Sequence, residues 1–90
     1  MFRFKESVKV PYVKQGYIYF TSRRYEELDE SRQRKIRRLC RECGGTYSRA
    51  LFSAVTTDTP TDIICEDYYI SKSTLSRMVR EYYERFPPTI

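Results

Sequence analysis

Apolar residues in the last third of the chain follow two helical patterns separated by a short break. They predict a short helix over 61–68 and a longer helix over 72–85. The longer helix has apolar residues at three- and four-residue spacing, namely Leu75, Met78, Val79, Tyr82 and Phe86. Ile70 would close the turn between the helices, and Ser71 has the side chain of a helix N-cap. Cys65 is small enough for the two helices to cross closely.

Two further helices are predicted upstream of this pair. The segment 31–43 has one apolar face and ends at a glycine pair, which is typical of a helix C-terminus. That face consists of Ile36, Leu39, Cys40 and Cys43. The segment 47–57 has an apolar stripe and is followed by a loop that ends in Pro60. The stripe consists of Tyr47, Ala50, Leu51, Ala54 and Val55.

The N-terminal segment has the pattern of extended structure. Valines alternate with polar residues up to Tyr12, and residues 17–21 are aromatic and β-branched, which favours strands. Gly16 would supply the turn of a β-hairpin, and Pro11 would place its strand at a sheet edge. This ribbon is interpreted as a structural flap, with a dimer-forming or DNA-contacting role as the alternative. Residues 22–28 predict a single helical turn or a short helix capped by Ser22.

The predicted fold is therefore mainly α, in a single domain that spans residues 1–90. An N-terminal β-hairpin or arm, 1–22, precedes the basic helix 31–43. A trihelical helix-turn-helix unit, 47–86, follows, and the predicted layout of its three helices resembles the core of homeodomain-like DNA-binding units.

Charge is unevenly distributed along the chain. The net charge of +5 suggests a polyanionic partner, and residues 29–49 alone carry seven basic and three acidic residues. Residues 50–90 carry four basic and six acidic residues. The basic helix is therefore expected to contact DNA phosphates independently of base sequence. The alternative is that its charged face is only solvated. The predicted phosphate contacts of that helix are Arg34, Lys35, Arg38 and Arg41.

The residues around the predicted turn resemble a known family. Residues 70–77, Ile-Ser-Lys-Ser-Thr-Leu-Ser-Arg, are similar to the helix-turn-helix of bacterial transcription regulators, in which V-S-x-x-T-V-S-R is frequent. They are also similar to small sporulation-type regulators that carry V-S-K-S-T-V, and the resemblance covers about residues 61–86. The family usually has Gly before the apolar turn residue, where this chain has Tyr69. Either Tyr69 keeps the left-handed conformation at about 1 kcal/mol, or the turn differs.

The resemblance implies a sequence-specific double-stranded DNA-binding protein, a small bacterial transcription regulator. Ser71 and Thr74 would contact phosphates at the helix start. The outward residues would meet base edges in a major groove: Lys72, Ser73, Ser76, Arg77 and Arg80. Two alternatives stay open, a protein–protein interaction module on the same scaffold and a DNA-binding accessory factor of a mobile element. A homodimer, the operator and the direction of regulation are also left open.

Other chemistry finds little support in the residues. The chain has no His, so a His-based catalytic triad is excluded and the three cysteines do not complete a common zinc site. Cys40, Cys43 and Cys65 are interpreted as core residues, with metal binding or redox sensing as the alternative. We therefore expect no enzyme activity, no cofactor, no metal and no small-molecule ligand. With no signal peptide and no apolar run of membrane-spanning length, the protein is expected to be cytoplasmic, with free thiols.

Overall fold

Helices account for all the regular secondary structure that the computed structural model describes, which is residue 5 and residues 8–90. Short 3₁₀ turns at Tyr25–Glu27 and Gly45–Tyr47 lie on either side of the second helix. The five α-helices are α1 (Tyr12–Arg23), α2 (Glu30–Gly44), α3 (Ser48–Thr56), α4 (Thr61–Tyr68) and α5 (Lys72–Arg85). The mainly α prediction agrees with this architecture. None of the described helices has the length and apolar character needed to cross a bilayer.

The predicted β-hairpin is wrong. The described residues contain no strand, and α1 runs through the segment 17–21 that was expected to be one. Gly16 lies within this helix rather than in a hairpin turn. The part of the predicted hairpin that falls on residues 1–4, 6 and 7 lies outside the described residues, whereas Val8 and Val10 are buried in the core.

The buried face of α1 explains why its helical period was missed. Gln15, Ile18 and Ser22 recur at helical spacing and are essentially inaccessible to solvent, but two of the three are polar. The Gln15 side chain accepts from the Lys5 backbone N–H at 2.8 Å and donates to the Lys5 and Val10 carbonyls at 3.1 and 2.9 Å. A helix face that is buried through hydrogen-bonded polar side chains produces no hydrophobic periodicity in the sequence, so the pattern does not reveal it.

Ser22 does not cap the turn that follows it. It lies in the last turn of α1, and its Oγ is 2.7 Å from Oη of Tyr82 in the protein interior. The single helical turn predicted within 22–28 is present as the 3₁₀ turn at Tyr25–Glu27. The Ser22–Tyr82 hydrogen bond joins α1 to α5 across 60 residues of sequence.

Helix α2 agrees with the prediction over 31–43 and buries the four apolar side chains expected to face the core. It stops where Gly45 adopts a φ of 56°, in the region that favours glycine. The first helix of the trihelical unit, α3, packs against all the other helices and buries Ala50 and Leu51 completely. The described core residues form one continuous cluster around it.

Candidate nucleic-acid interface

The connection between α4 and α5 is a tight turn with one left-handed residue. Helix α4 ends at Tyr68, and Tyr69 follows with φ 54° and ψ 48°. The Ile70 backbone N–H returns to the carbonyl of Cys65 at 3.1 Å, and the Ile70 side chain is buried. Of the two outcomes expected for Tyr69, the structure has the first: the left-handed conformation is kept without a glycine.

Ser71 is the N-cap of α5. Its Oγ accepts a hydrogen bond from the backbone N–H of Thr74 at 3.2 Å, and its extended backbone is that of a cap residue. The same Oγ is 2.8 Å from the hydroxyl of Thr74. Both residues predicted to contact phosphate therefore already hydrogen-bond each other at the helix start. The first N–H groups of α5 have no partner within the helix, so this end can receive an anion.

The two faces of α5 differ as the pattern predicts. One face is buried through Leu75, Met78, Tyr82 and Tyr83. All five residues predicted to face base edges lie on the exposed side, namely Lys72, Ser73, Ser76, Arg77 and Arg80. The protein's own described residues therefore leave these side chains uncovered.

The cations of this face differ in their pairing. Lys72 Nζ lies 2.7 Å from the Asp62 carboxylate of α4, and this hydrogen bond raises the pKa of Lys72. Arg77 and Arg80 make no ion pair with any residue that the structure describes. Two guanidinium groups on the exposed face are therefore available to an external anion without breaking an internal bond.

The cationic surface of α5 ends near its middle. Glu81 and Glu84 are exposed in the C-terminal half, where the Arg85 guanidinium pairs with Glu42 of α2 at 3.0 Å and with Glu81 at 3.6 Å. A polyanion would be attracted to the residues up to Arg80 and repelled beyond them.

The basic residues of α2 are placed less uniformly than the sequence suggested. Arg34, Arg38 and Arg41 are exposed and follow one another at helical spacing on the side opposite the buried residues. Lys35 is partly buried, and Arg34 is within 3.4 Å of the Glu30 carboxylate. The four predicted phosphate contacts therefore divide into a stripe of three and one side chain beside it.

A groove links the end of α2 to the helix-turn-helix. It has a volume of about 540 Å³ and lies between α2 and α3, with Arg41 and Arg49 on its walls and Phe52 in its lining. At its other end it reaches Tyr68, the last residue before the turn. The sequence pattern predicts no role for Arg49 and an inward position for Tyr68, whereas Tyr68 is exposed. A single Arg in α3 gives no pattern in sequence, and only its packing beside α2 makes it part of a cationic surface.

A second cleft of about 390 Å³ lies beside α5. Ser76 and Arg80 line it, opposite Arg23 of α1 and residues of the α3–α4 loop. Arg23 is held at 3.0 Å from the Asp58 carboxylate, so part of the positive charge is neutralised within the protein. Ser76 and Arg80 therefore lie on the α1 side of the exposed face of α5.

The cysteines are placed as core residues. Burial raises the pKa of Cys40 to about 12 and that of Cys43 to about 11, so both thiols are protonated at neutral pH. Cys65 is partly buried beside the core. Within the described residues, no group of three or more His, Cys, Asp or Glu side chains is arranged to hold a metal ion.

Neither a family model nor a curated protein nor a solved structure matches this chain.

Proposed function

We propose that this protein is a sequence-specific double-stranded DNA-binding protein, a small bacterial transcription regulator acting in the cytoplasm. The observation that carries the proposal is the capped helix α5, which follows a left-handed turn and keeps its cationic outward face exposed. A helix of this kind fits the major groove, and its N-terminal residues approach the base edges.

The side chains suggest distinct roles at the duplex. Arg77 and Arg80 have the geometry to donate two hydrogen bonds to a guanine, whereas Ser73 and Ser76 can pair with several bases. Lys72 would exchange its exposed ion pair with Asp62 for a base or a phosphate, which costs little because water already screens that pair. Such contacts would give the selectivity of the complex.

Phosphate contacts would come from two places. The start of α5, with Ser71 and Thr74, combines N–H groups that have no backbone partner within the helix with the positive end of the helix dipole. The stripe on α2 adds Arg34, Arg38 and Arg41, with Lys35 beside it, as a sequence-independent grip. The groove that contains Arg41 and Arg49 supports a cationic path between the two places because it reaches the end of α4.

Binding to duplexes with and without a preferred site tests this proposal. Selection from a random duplex pool would provide the site, and fluorescence anisotropy would measure affinity at two salt concentrations. Arg77→Ala should cost about 1–3 kcal/mol on the preferred site and relax selectivity. Arg38→Ala should weaken binding to all duplexes equally and reduce the salt dependence.

Arg24→Ala is the matched control for these variants. Arg24 is exposed and pairs with Glu27 in the 3₁₀ turn after α1, and the proposal assigns it no DNA contact. Its replacement should leave affinity unchanged. If wild-type protein at micromolar concentration and low salt shifts no duplex, or if Arg77→Ala loses equally on preferred and random DNA, the proposed mode of binding is wrong.

A protein-interaction module is the second candidate, and one observation favours it. Val13 and Tyr17 lie on the same side of α1 with 80% and 52% of their surfaces exposed. Exposed apolar side chains at helical spacing are common in protein-binding helices. Binding of duplex DNA that is unaffected by Val13→Ser would favour the first candidate. The third candidate, an accessory factor of a mobile element, would use the same DNA contacts, and DNA bending on binding would distinguish it.

A homodimer fits the proposal but has its own test. Two copies would present two α5 helices to half-sites about 34 Å apart. Analytical ultracentrifugation with and without the selected duplex would show whether two chains bind together. A palindromic selected site would be expected in that case.

A further inference from the structure

Tyr69 adopts a left-handed conformation that caps α4 through the backbone, since the N–H groups of Tyr69 and Ile70 return to the carbonyl of Cys65, but this cap does not require a side chain. It is the one non-glycine residue with positive φ in the described part of the chain, and 91% of its surface is exposed. Its side chain makes no hydrogen bond or ring contact with any described residue. A residue with a Cβ is disfavoured at this φ relative to glycine, and no described contact of the Tyr69 side chain offsets that penalty.

The position of Tyr69 suggests what could offset it. It lies two residues before the N-cap Ser71 and three before Lys72, so at most about 10 Å of chain separates it from the start of α5. Its neighbour Tyr68 lines the groove that contains Arg41 and Arg49. Tyr69 is therefore an exposed side chain that follows a residue of the cationic groove and precedes the start of α5.

We propose that Tyr69 is a phosphate-contacting residue. Its phenol donates a hydrogen bond to a phosphate oxygen on the DNA strand that borders the major groove occupied by α5. This inference rests on the proposed function and adds a residue that the family pattern does not supply. Tyrosine side chains are among the groups that bond DNA phosphates, and such bonds fix the register of a protein without reading sequence. Glycine, the usual residue at this turn, would form the same backbone more easily but would have no donor.

Two variants separate the backbone from the hydroxyl. Tyr69→Phe removes only the hydroxyl, so its melting temperature should equal that of the wild type. Its affinity should fall by about tenfold, by the same factor on preferred and random duplexes. Tyr69→Gly relieves the strain, so its melting temperature should rise by about 4 °C while its affinity falls at least as far.

Tyr12→Phe is the matched control. Tyr12 is also largely exposed, with 62% of its surface accessible, and it opens α1. The Lys9 backbone N–H donates to the Glu84 carboxylate at 3.3 Å, so this end of α1 lies near the end of α5, about 18 Å along the helix from Lys72. Loss of the Tyr12 hydroxyl should leave DNA affinity unchanged.

Each remaining outcome has a defined meaning. If the wild type binds DNA and both Tyr69 variants bind equally well, the phosphate contact is overturned and the proposed function stands. If Tyr69→Phe loses affinity only on the preferred site, the residue reads a base and the phosphate assignment is overturned. If the wild type binds no duplex, both proposals fail together, whatever the melting temperatures show.

Discussion

The buried hydrogen bond between Ser22 and Tyr82 joins α1 to α5 and lends itself to a double-mutant cycle. Both side chains are nearly inaccessible to solvent, and their oxygens are 2.7 Å apart. Burial raises the pKa of Tyr82, so the phenol stays neutral and can share its proton with Ser22. Removing either hydroxyl leaves the other buried without its partner.

The expected magnitudes follow from that geometry. Ser22→Ala and Tyr82→Phe should each lower the free energy of unfolding by about 1–3 kcal/mol, because an unsatisfied buried hydroxyl loses its hydrogen bond and cannot regain water. The double variant removes both polar groups, so it should cost clearly less than the sum of the two. A coupling of about 1–2 kcal/mol is therefore expected between these residues.

Urea unfolding monitored by circular dichroism would measure all four proteins of the cycle. Tyr83→Phe is the matched control, since Tyr83 lines the cleft beside α5 and its hydroxyl bonds no described residue. It should change stability by no more than about 0.5 kcal/mol. Strictly additive losses from Ser22→Ala and Tyr82→Phe would refute the helical register of α1, because the two hydroxyls would then not meet.

Three further predictions concern the start of α5 and the buried thiols. Ser71→Ala should lower stability by about 1 kcal/mol through loss of the N-cap, seen as a lower melting temperature, whereas Ser73→Ala, two residues on, should change it little. Cys40 and Cys43 should react with a thiol reagent only as fast as the protein opens, so a mass-spectrometric time course in native buffer that shows their prompt labelling would contradict the core assignment. Their folded pKa values, about 12 and about 11, exceed the ordinary thiol value of 9.0. The unfolded chain therefore releases protons first, and urea titrations should show stability falling as pH rises from about 9; constant stability up to pH 11 would count against this.

Helices α4 and α5 could be predicted from sequence because their signals are local. Pro60 and Ser71 mark helix starts, and the apolar spacing from Leu75 onward fixes the buried face of α5. Each of these signals acts within one or two helical turns, and the structure has the helices α4 and α5 at the predicted boundaries.

Helix α1 could not be predicted in the same way. Its aromatic and β-branched residues favour a strand locally, whereas its helical face is completed by the Gln15 and Ser22 hydrogen bonds to other parts of the fold. Such tertiary contacts override local propensity. The candidate surface could not be predicted in full for the same reason. Arg49 lies beside the cations of α2 only because of the way α2 and α3 pack.

The change of charge at Glu81 limits how much DNA one molecule could recognise. The segment from Lys72 to Arg80 is about 13 Å long as a helix, and base pairs are stacked every 3.4 Å or so along B-DNA. If α5 docks as proposed, one copy reads at most about four base pairs. A four-base-pair sequence recurs roughly every 250 base pairs, which is far too often to specify a single binding site among the competing sites of a genome. Selectivity in a cell would then require a second element that contacts base edges, supplied by another copy of the chain or by a neighbouring protein on the same duplex.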